Sequence, residues 1–178
     1  QATAIGAQVN ERVVHDLGAG DLCHSLQLLD FGATKVVAID KEPKPRRYFP
    51  SNIEYIQTYF ADYRGDIDVS FMCWPPNYCV GIVPLLKRAK TIIYLGKNTD
   101  GTASGPTEMF RYLMKRDIIE YLPDRRNTLI IYREGGLPGC RAPRGEEAAA
   151  LDSDSGSPHW TFEQAETLAS RFELNLQP

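Results

Sequence analysis

The sequence predicts an α/β fold, a three-layer sandwich around a mostly parallel seven-stranded sheet that closes with a C-terminal antiparallel hairpin. Three observations carry this expectation. Short β-branched runs alternate with helix-compatible stretches through most of the 178 residues, the pattern of strand–helix–strand units. The run from Ile67 to Cys73 is mostly apolar, as a strand buried on both faces of a parallel sheet must be. Two further runs, Ile118 to Leu122 and Thr128 to Tyr132, are joined only by Pro123-Asp124-Arg125-Arg126-Asn127. That link is too short for a crossover, so the two strands must be antiparallel neighbours.

Taken in order, Val13-Val14-His15-Asp16-Leu17 reads as a buried first strand. Asp21 stands where a helix begins and its carboxylate can cap free amides. Leu22, Leu26, Leu28 and Leu29 follow at helical spacing up to Gly32, a natural stop. With only about ten residues ahead of the first strand, little chain is left there for a helix. The second strand covers Lys35 to Ile39, and three prolines exclude a long helix over 41–50. Ile53 to Ile56 forms the third strand and Ile67 to Cys73 the fourth, broken abruptly by Trp74-Pro75-Pro76. A poor helix over Cys79 to Lys87, a fifth strand over Thr91 to Leu95, a polar loop from Gly96 to Gly105 and a helix over Thr107 to Lys115 precede the hairpin. The domain is therefore expected over 1–134. Residues 135–178, rich in Gly, Pro, Ala and Ser, form an extension that ends in a short helix opened by the capping box Thr161-x-x-Gln164.

The bulk numbers narrow the function classes. A net charge of −3 excludes a basic nucleic-acid binder, so no autonomous nucleic-acid binding is expected. The basic clusters Lys41, Lys44, Arg46, Arg47 and Lys87, Arg88, Lys90 read as solvated faces, with contact to an anionic partner as the alternative. Cys23, Cys73, Cys79 and Cys140 lack CxxC spacing, and His15, His24 and His159 form no ligand ladder. No metal site and no disulfide framework are expected, and reduced thiols fit a cytoplasmic setting. No apolar stretch is long enough to span a membrane. A chain that starts with Gln reads as a trimmed piece of something longer.

The most informative motif is Asp16-Leu17-Gly18-Ala19-Gly20-Asp21 after the first strand, with Val36-Val37-Ala38-Ile39-Asp40 about twenty residues on. Glycines let a backbone pass close beneath a ligand, and a carboxylate ending the second strand can grip a ribose diol. An adenosine-containing cofactor is expected. A nicotinamide dinucleotide would want a third glycine where Cys23 stands, and Asp21 would repel its pyrophosphate. An unliganded Gly-Ala-Gly turn is the remaining alternative.

Asp16-x-Gly18-x-Gly20, Asp40, Asp62 after the third strand and a Pro-Pro after the fourth resemble the Rossmann-like class I S-adenosylmethionine-dependent methyltransferases, over roughly residues 10–133. The resemblance implies S-adenosyl-L-methionine as cofactor and S-adenosyl-L-homocysteine as product. It implies that Gly18, Ala19 and Gly20 pass beneath the methionine part and that Asp16 orients the turn or reaches the ammonium. Asp40 would bond the ribose hydroxyls, with Lys41 beside it offering only an aliphatic stem to the adenine. Asp62 would accept the adenine amino group with Tyr63 alongside, and Cys73 completes the cofactor set. The sequence departs from the pattern at Leu22, where the family has another glycine.

Trp74-Pro75-Pro76-Asn77-Tyr78 resembles the Asp/Asn-Pro-Pro-aromatic motif of methyltransferases acting on amino nitrogens, and is read as the substrate pocket. Trp74 replaces the polar residue, and an indole has no acceptor for a target nitrogen. No catalytic base announces itself; Asp100 and Glu108 are candidates by position alone. The acceptor is expected to be a small molecule or a site presented by a partner. The alternative is a catalytically silent cofactor-binding or interaction module.

Overall fold

The chain is described by a computed structural model covering residues 1–133 apart from 45–47, 80, 97, 100–101, 114 and 123–127. The elements follow the order α1 (Ala2–Val9), β1 (Val13–Leu17), α2 (Cys23–Asp30), β2 (Lys35–Asp40), β3 (Ile53–Gln57), β4 (Val69–Cys73), α3 (Ile82–Leu86), β5 (Thr91–Gly96), β6 (Asn98–Thr99), β7 (Thr102–Ala103), α4 (Thr107–Leu113), β8 (Asp117–Leu122) and β9 (Thr128–Arg133). The proposed extension over 135–178 lies outside the described residues.

The main sheet has seven strands in the order β3-β2-β1-β4-β5-β9-β8, with β6 and β7 forming a separate two-stranded ribbon. From β3 to β5 every pairing is parallel. β9 then inserts antiparallel between β5 and β8. The chain starts in the middle, winds outward to β3, and returns to the other side of β1 with β4. Strand order reverses between β1 and β4, the place where open α/β sheets leave a crevice at the carboxyl ends of their strands.

Side-chain alternation along the strands builds two apolar layers. On one face Val14, Val36, Ala38, Phe71 and Ile131 meet Ile5 and Val9 of α1 and Leu28 of α2. On the other, Val37, Ile39, Ile92 and Tyr132 meet Leu85 of α3 and Met109, Phe110 and Leu113 of α4. This is the three-layer sandwich expected. The helix ahead of β1 is a correction: α1 forms in eight residues, because Ile5 and Val9, one turn apart, both bury against the sheet.

Three other boundaries differ from expectation for local reasons. β4 begins at Val69 because Asp68 faces outward to bind Arg12, at 2.8 Å. α3 starts only at Ile82, since Gly81 ahead of it is left-handed (φ +83°). The loop after β5 contains the β6–β7 ribbon. Running against its neighbours, β9 ends at Arg133 opposite Thr91, the first residue of β5. There the Arg133 guanidinium donates to Gln8 Oε1 of α1 at 2.6 Å.

Candidate ligand-binding site

The turn after β1 is held by the end of β2. Gly18 and Ala19 amides donate to the Ile39 carbonyl at 2.8 and 3.3 Å. The Gly20 amide donates to Asp40 Oδ2 at 2.8 Å, and the Glu42 amide to Asp40 Oδ1 at 3.0 Å. Gly18 and Gly20 take φ of +82° and +51°, which side chains rarely adopt. A Cβ on Gly20 would meet no atom within 4 Å, so the surface above the turn is open. On Gly18 it would lie 3.9 Å from the Phe60 ring, which reaches in from the loop after β3.

Leu22 also adopts a left-handed backbone, at φ 68° and ψ 13°. The residue that departs from the family's glycine pattern therefore keeps the conformation a glycine would supply. The strain, about 1 kcal/mol, is offset by complete burial of its side chain against the sheet. Asp21 then closes the start of α2: its carboxylate accepts from the Cys23 amide at 3.0 Å and, through its other oxygen, from the Cys23 thiol at 3.0 Å.

Asp16 is 2% exposed, and its Oδ2 accepts from Ser25 Oγ at 2.6 Å. Burial pushes its carboxyl up to about 7; the Ser25 hydrogen bond works against that rise, and the charge of Asp40 adds to it. The native chain thus holds a proton on Asp16 that the unfolded chain releases near pH 4. The contribution of Asp16 to stability is complete below that value and is lost as pH rises toward 7, by up to about 4 kcal/mol at the plateau. Asp16→Asn is expected to remove this loss: its melting temperature stays level from pH 5 to 8 while that of the parent falls. Parallel decline of both proteins in a pH series of melts would refute this account. Ser25 was not singled out in the sequence, although a serine among leucines on the buried face of α2 was its available signal.

The remaining predicted residues fall into two groups. Asp40, Lys41, Asp62, Cys73 and Trp74 all follow or end strands on the carboxyl edge of the sheet, with the glycine turn between them. Asp62 is exposed there, whereas the neighbouring Tyr63 turns away. The Tyr63 hydroxyl lies 3.0 Å from His15 Nε2, and Arg88 packs over its ring while donating to its carbonyl. His15 itself is buried within β1, and that burial, with Arg88 next in effect, lowers its basicity. Tyr63 thus fastens the Asp62 loop to the body of the sheet. Burial raises the half-buried Cys73 thiol to about 11, with a further push from Asp16.

Beyond β4, Trp74 adopts φ +50° yet keeps its amide in the ladder, donating to Leu95 at 2.8 Å, and its side chain is 48% exposed. Pro75 is buried. Asn77 Oδ1 accepts from the Gly105 amide at 3.2 Å, tying the loop to the start of α4. Asn77 is thereby engaged in joining two walls. Glu108 is exposed in the first turn of α4, and Asp100 lies outside the described residues. Among the described residues no group of three or more His, Cys, Asp or Glu side chains is placed to hold a metal ion. Nor is any helix among them long and apolar enough to cross a membrane.

No protein-family model matches the chain, and no curated protein matches it by sequence. Solved structures do match by fold. The 1,6-didemethyltoxoflavin methyltransferase of Burkholderia thailandensis, solved with S-adenosylhomocysteine, is 12% identical with a TM-score of 0.56, covering 75% of this chain and 77% of its own. A ribosomal-protein methylase from Lactobacillus delbrueckii is 18% identical with a TM-score of 0.54, covering 75% and 77%. The magnesium protoporphyrin IX methyltransferase of Synechocystis, with bound S-adenosylhomocysteine, is 13% identical with a TM-score of 0.52, covering 74% and 78%. This chain has the fold of the class I S-adenosylmethionine-dependent methyltransferases.

Proposed function

We propose that the chain binds S-adenosyl-L-methionine at the carboxyl edge of β1 and β2 and transfers its methyl group to an acceptor, leaving S-adenosyl-L-homocysteine. The observation that supports this most is the pairing of an open, left-handed Gly20 with Asp40, whose carboxylate is already oriented by the Gly20 and Glu42 amides. The donor set fits the cofactor. Asp40 offers its remaining lone pairs to a ribose diol, and Asp62 stands exposed for an adenine amino group. Buried Asp16 would release its proton toward a cationic ligand and face it as a charge. Asp21, exposed beside the turn, disfavours a pyrophosphate in the same place.

When bound, the cofactor supplies a methyl group already activated on a sulfonium. The chain then has to align the acceptor and exclude water, which together supply most of the rate in such a displacement. Pro75, packed against Gly105, and the Asn77 tie hold the acceptor side rigid, while the exposed Trp74 borders it. An acceptor that is a small molecule or is presented by a partner suits a chain with net charge −3. Cys73 and Cys79, free thiols among the described residues, suit a reducing compartment such as the cytoplasm.

A thermal-shift comparison tests the cofactor. S-Adenosylhomocysteine at about 100 times its dissociation constant is expected to raise the melting temperature by roughly 5 °C or more, and NADH to leave it unchanged. A shift with NADH alone would transfer the site to a dinucleotide. A second reading, a silent module, is favoured by the loop after β4: the indole of Trp74 offers a target nitrogen no acceptor atom, and Asn77 Oδ1 is engaged with Gly105. Tight cofactor binding with no S-adenosylhomocysteine formed from any acceptor pool would select it.

A further inference from the structure

The segment after β4 reaches much further than the acceptor side of the cleft. The Lys41 ammonium, one residue past the end of β2, sits 5.8 Å from the centre of the Tyr78 ring. β2 and β4 lie on opposite sides of β1. A contact between a residue following β2 and one following β4 therefore crosses above the carboxyl end of β1, where the glycine turn begins. Two neighbours of Tyr78 confirm the path. Cys79 is close enough to Asp40 and Lys41 for both charges to act on its thiol, which burial raises to about 11. Gly81 abuts Ala61 in the loop after β3, so tightly that a Cβ there would stand 2.7 Å from the Ala61 nitrogen. On the opposite flank Asn77 is fixed to Gly105.

We propose that Tyr78 and Lys41 form a clasp over the adenosine half of the cofactor cleft, so that Tyr78 is a cofactor-binding residue and acceptor approach is left to the Trp74 side. The proposal rests on the cleft being an S-adenosylmethionine site. Its chemistry is simple. The Tyr78 ring offers its face to the Lys41 cation, and the Lys41 stem and the ring together shed water from whatever lies on the turn. Tyr78 is 73% exposed and Lys41 is exposed too, so neither serves the core. Removing either leaves the two apolar layers intact.

The test measures the dissociation rate of S-adenosylhomocysteine by stopped-flow displacement in the parent, Lys41→Met, Tyr78→Ala, Tyr78→Phe and the Lys41→Met/Tyr78→Ala double variant. S-Adenosylhomocysteine lacks the sulfonium charge, so loss of the lysine cation does not act through repulsion of the ligand. Lys41→Met and Tyr78→Ala are each expected to speed dissociation about fivefold, the scale of an exposed cation–π contact. The double variant should be no faster than the faster single one, because both remove the same contact. Tyr78→Phe, which keeps the ring, should match the parent. Rates within twofold of the parent in both single variants, or effects that multiply in the double, would overturn the clasp. If those rates are unchanged while Asp40→Ala still weakens binding, the cofactor reading stands and only the clasp falls. Absence of binding by the parent overturns both.

Discussion

Replacing Asp40 with alanine is expected to weaken S-adenosylhomocysteine binding by about 30-fold or more, equivalent to about 2 kcal/mol. Two effects add. The ligand loses charge-assisted bonds to its ribose hydroxyls, and the Gly20 and Glu42 amides lose the acceptor that holds the turn in shape. Asp40→Asn separates them. Its amide oxygen can still accept from Gly20, but its nitrogen cannot accept from Glu42 and the charge is gone. It should fall between the parent and Asp40→Ala in isothermal titration. An alanine variant that binds as tightly as the parent would remove Asp40 from the ligand.

The largest destabilisation by a substitution is expected at Gly81→Val, at about 3 kcal/mol or more in urea unfolding. A Cβ at this position meets Ala61 N at 2.7 Å, its Cβ at 2.8 Å and its Cα at 2.9 Å. Two of these atoms are backbone, so no rotamer change relieves them, and a β-branched residue is strained at φ +83° as well. The displaced loop carries Asp62, so cofactor binding should weaken together with stability. Gly20→Ala is the control. It meets nothing within 4 Å, so its cost to the fold is limited to the left-handed backbone, about 1 kcal/mol. If Gly81→Val unfolds no more readily than Gly20→Ala, the two loops are not in contact in solution.

Much of this architecture was legible in the chain because burial leaves a period in the sequence. β2 and β5 announced themselves as β-branched, largely apolar runs, and the link after β8 as a link too short to cross the sheet. The glycine turn and Asp40 were legible for a related reason, since few residue types can make that backbone and that charge. What stayed hidden depends on contacts between distant segments. Nothing in Ala2–Val9 announces a helix until the face of the sheet that buries Ile5 and Val9 is present. Tyr63 reads as a neighbour of Asp62, yet its orientation is decided by His15, forty-eight positions away. Asn77 looked available to an acceptor until the fold brought the Gly105 amide to it. Leu22 looked like a lost glycine, and the backbone shows that only the side chain was replaced.

The direction of β9 has a consequence for the other end of the polypeptide. Arg133 stands beside Thr91 and Gln8, at the foot of the sheet, whereas Asp40 and the glycine turn crown it. The last described residue of β9 therefore lies on the side remote from the cleft. The height of a six-residue strand, roughly 20 Å, separates Arg133 from the crown. For an immobilised protein this geometry is convenient: a short anchor fused directly after Arg133 would hold the domain with its cleft facing the solution.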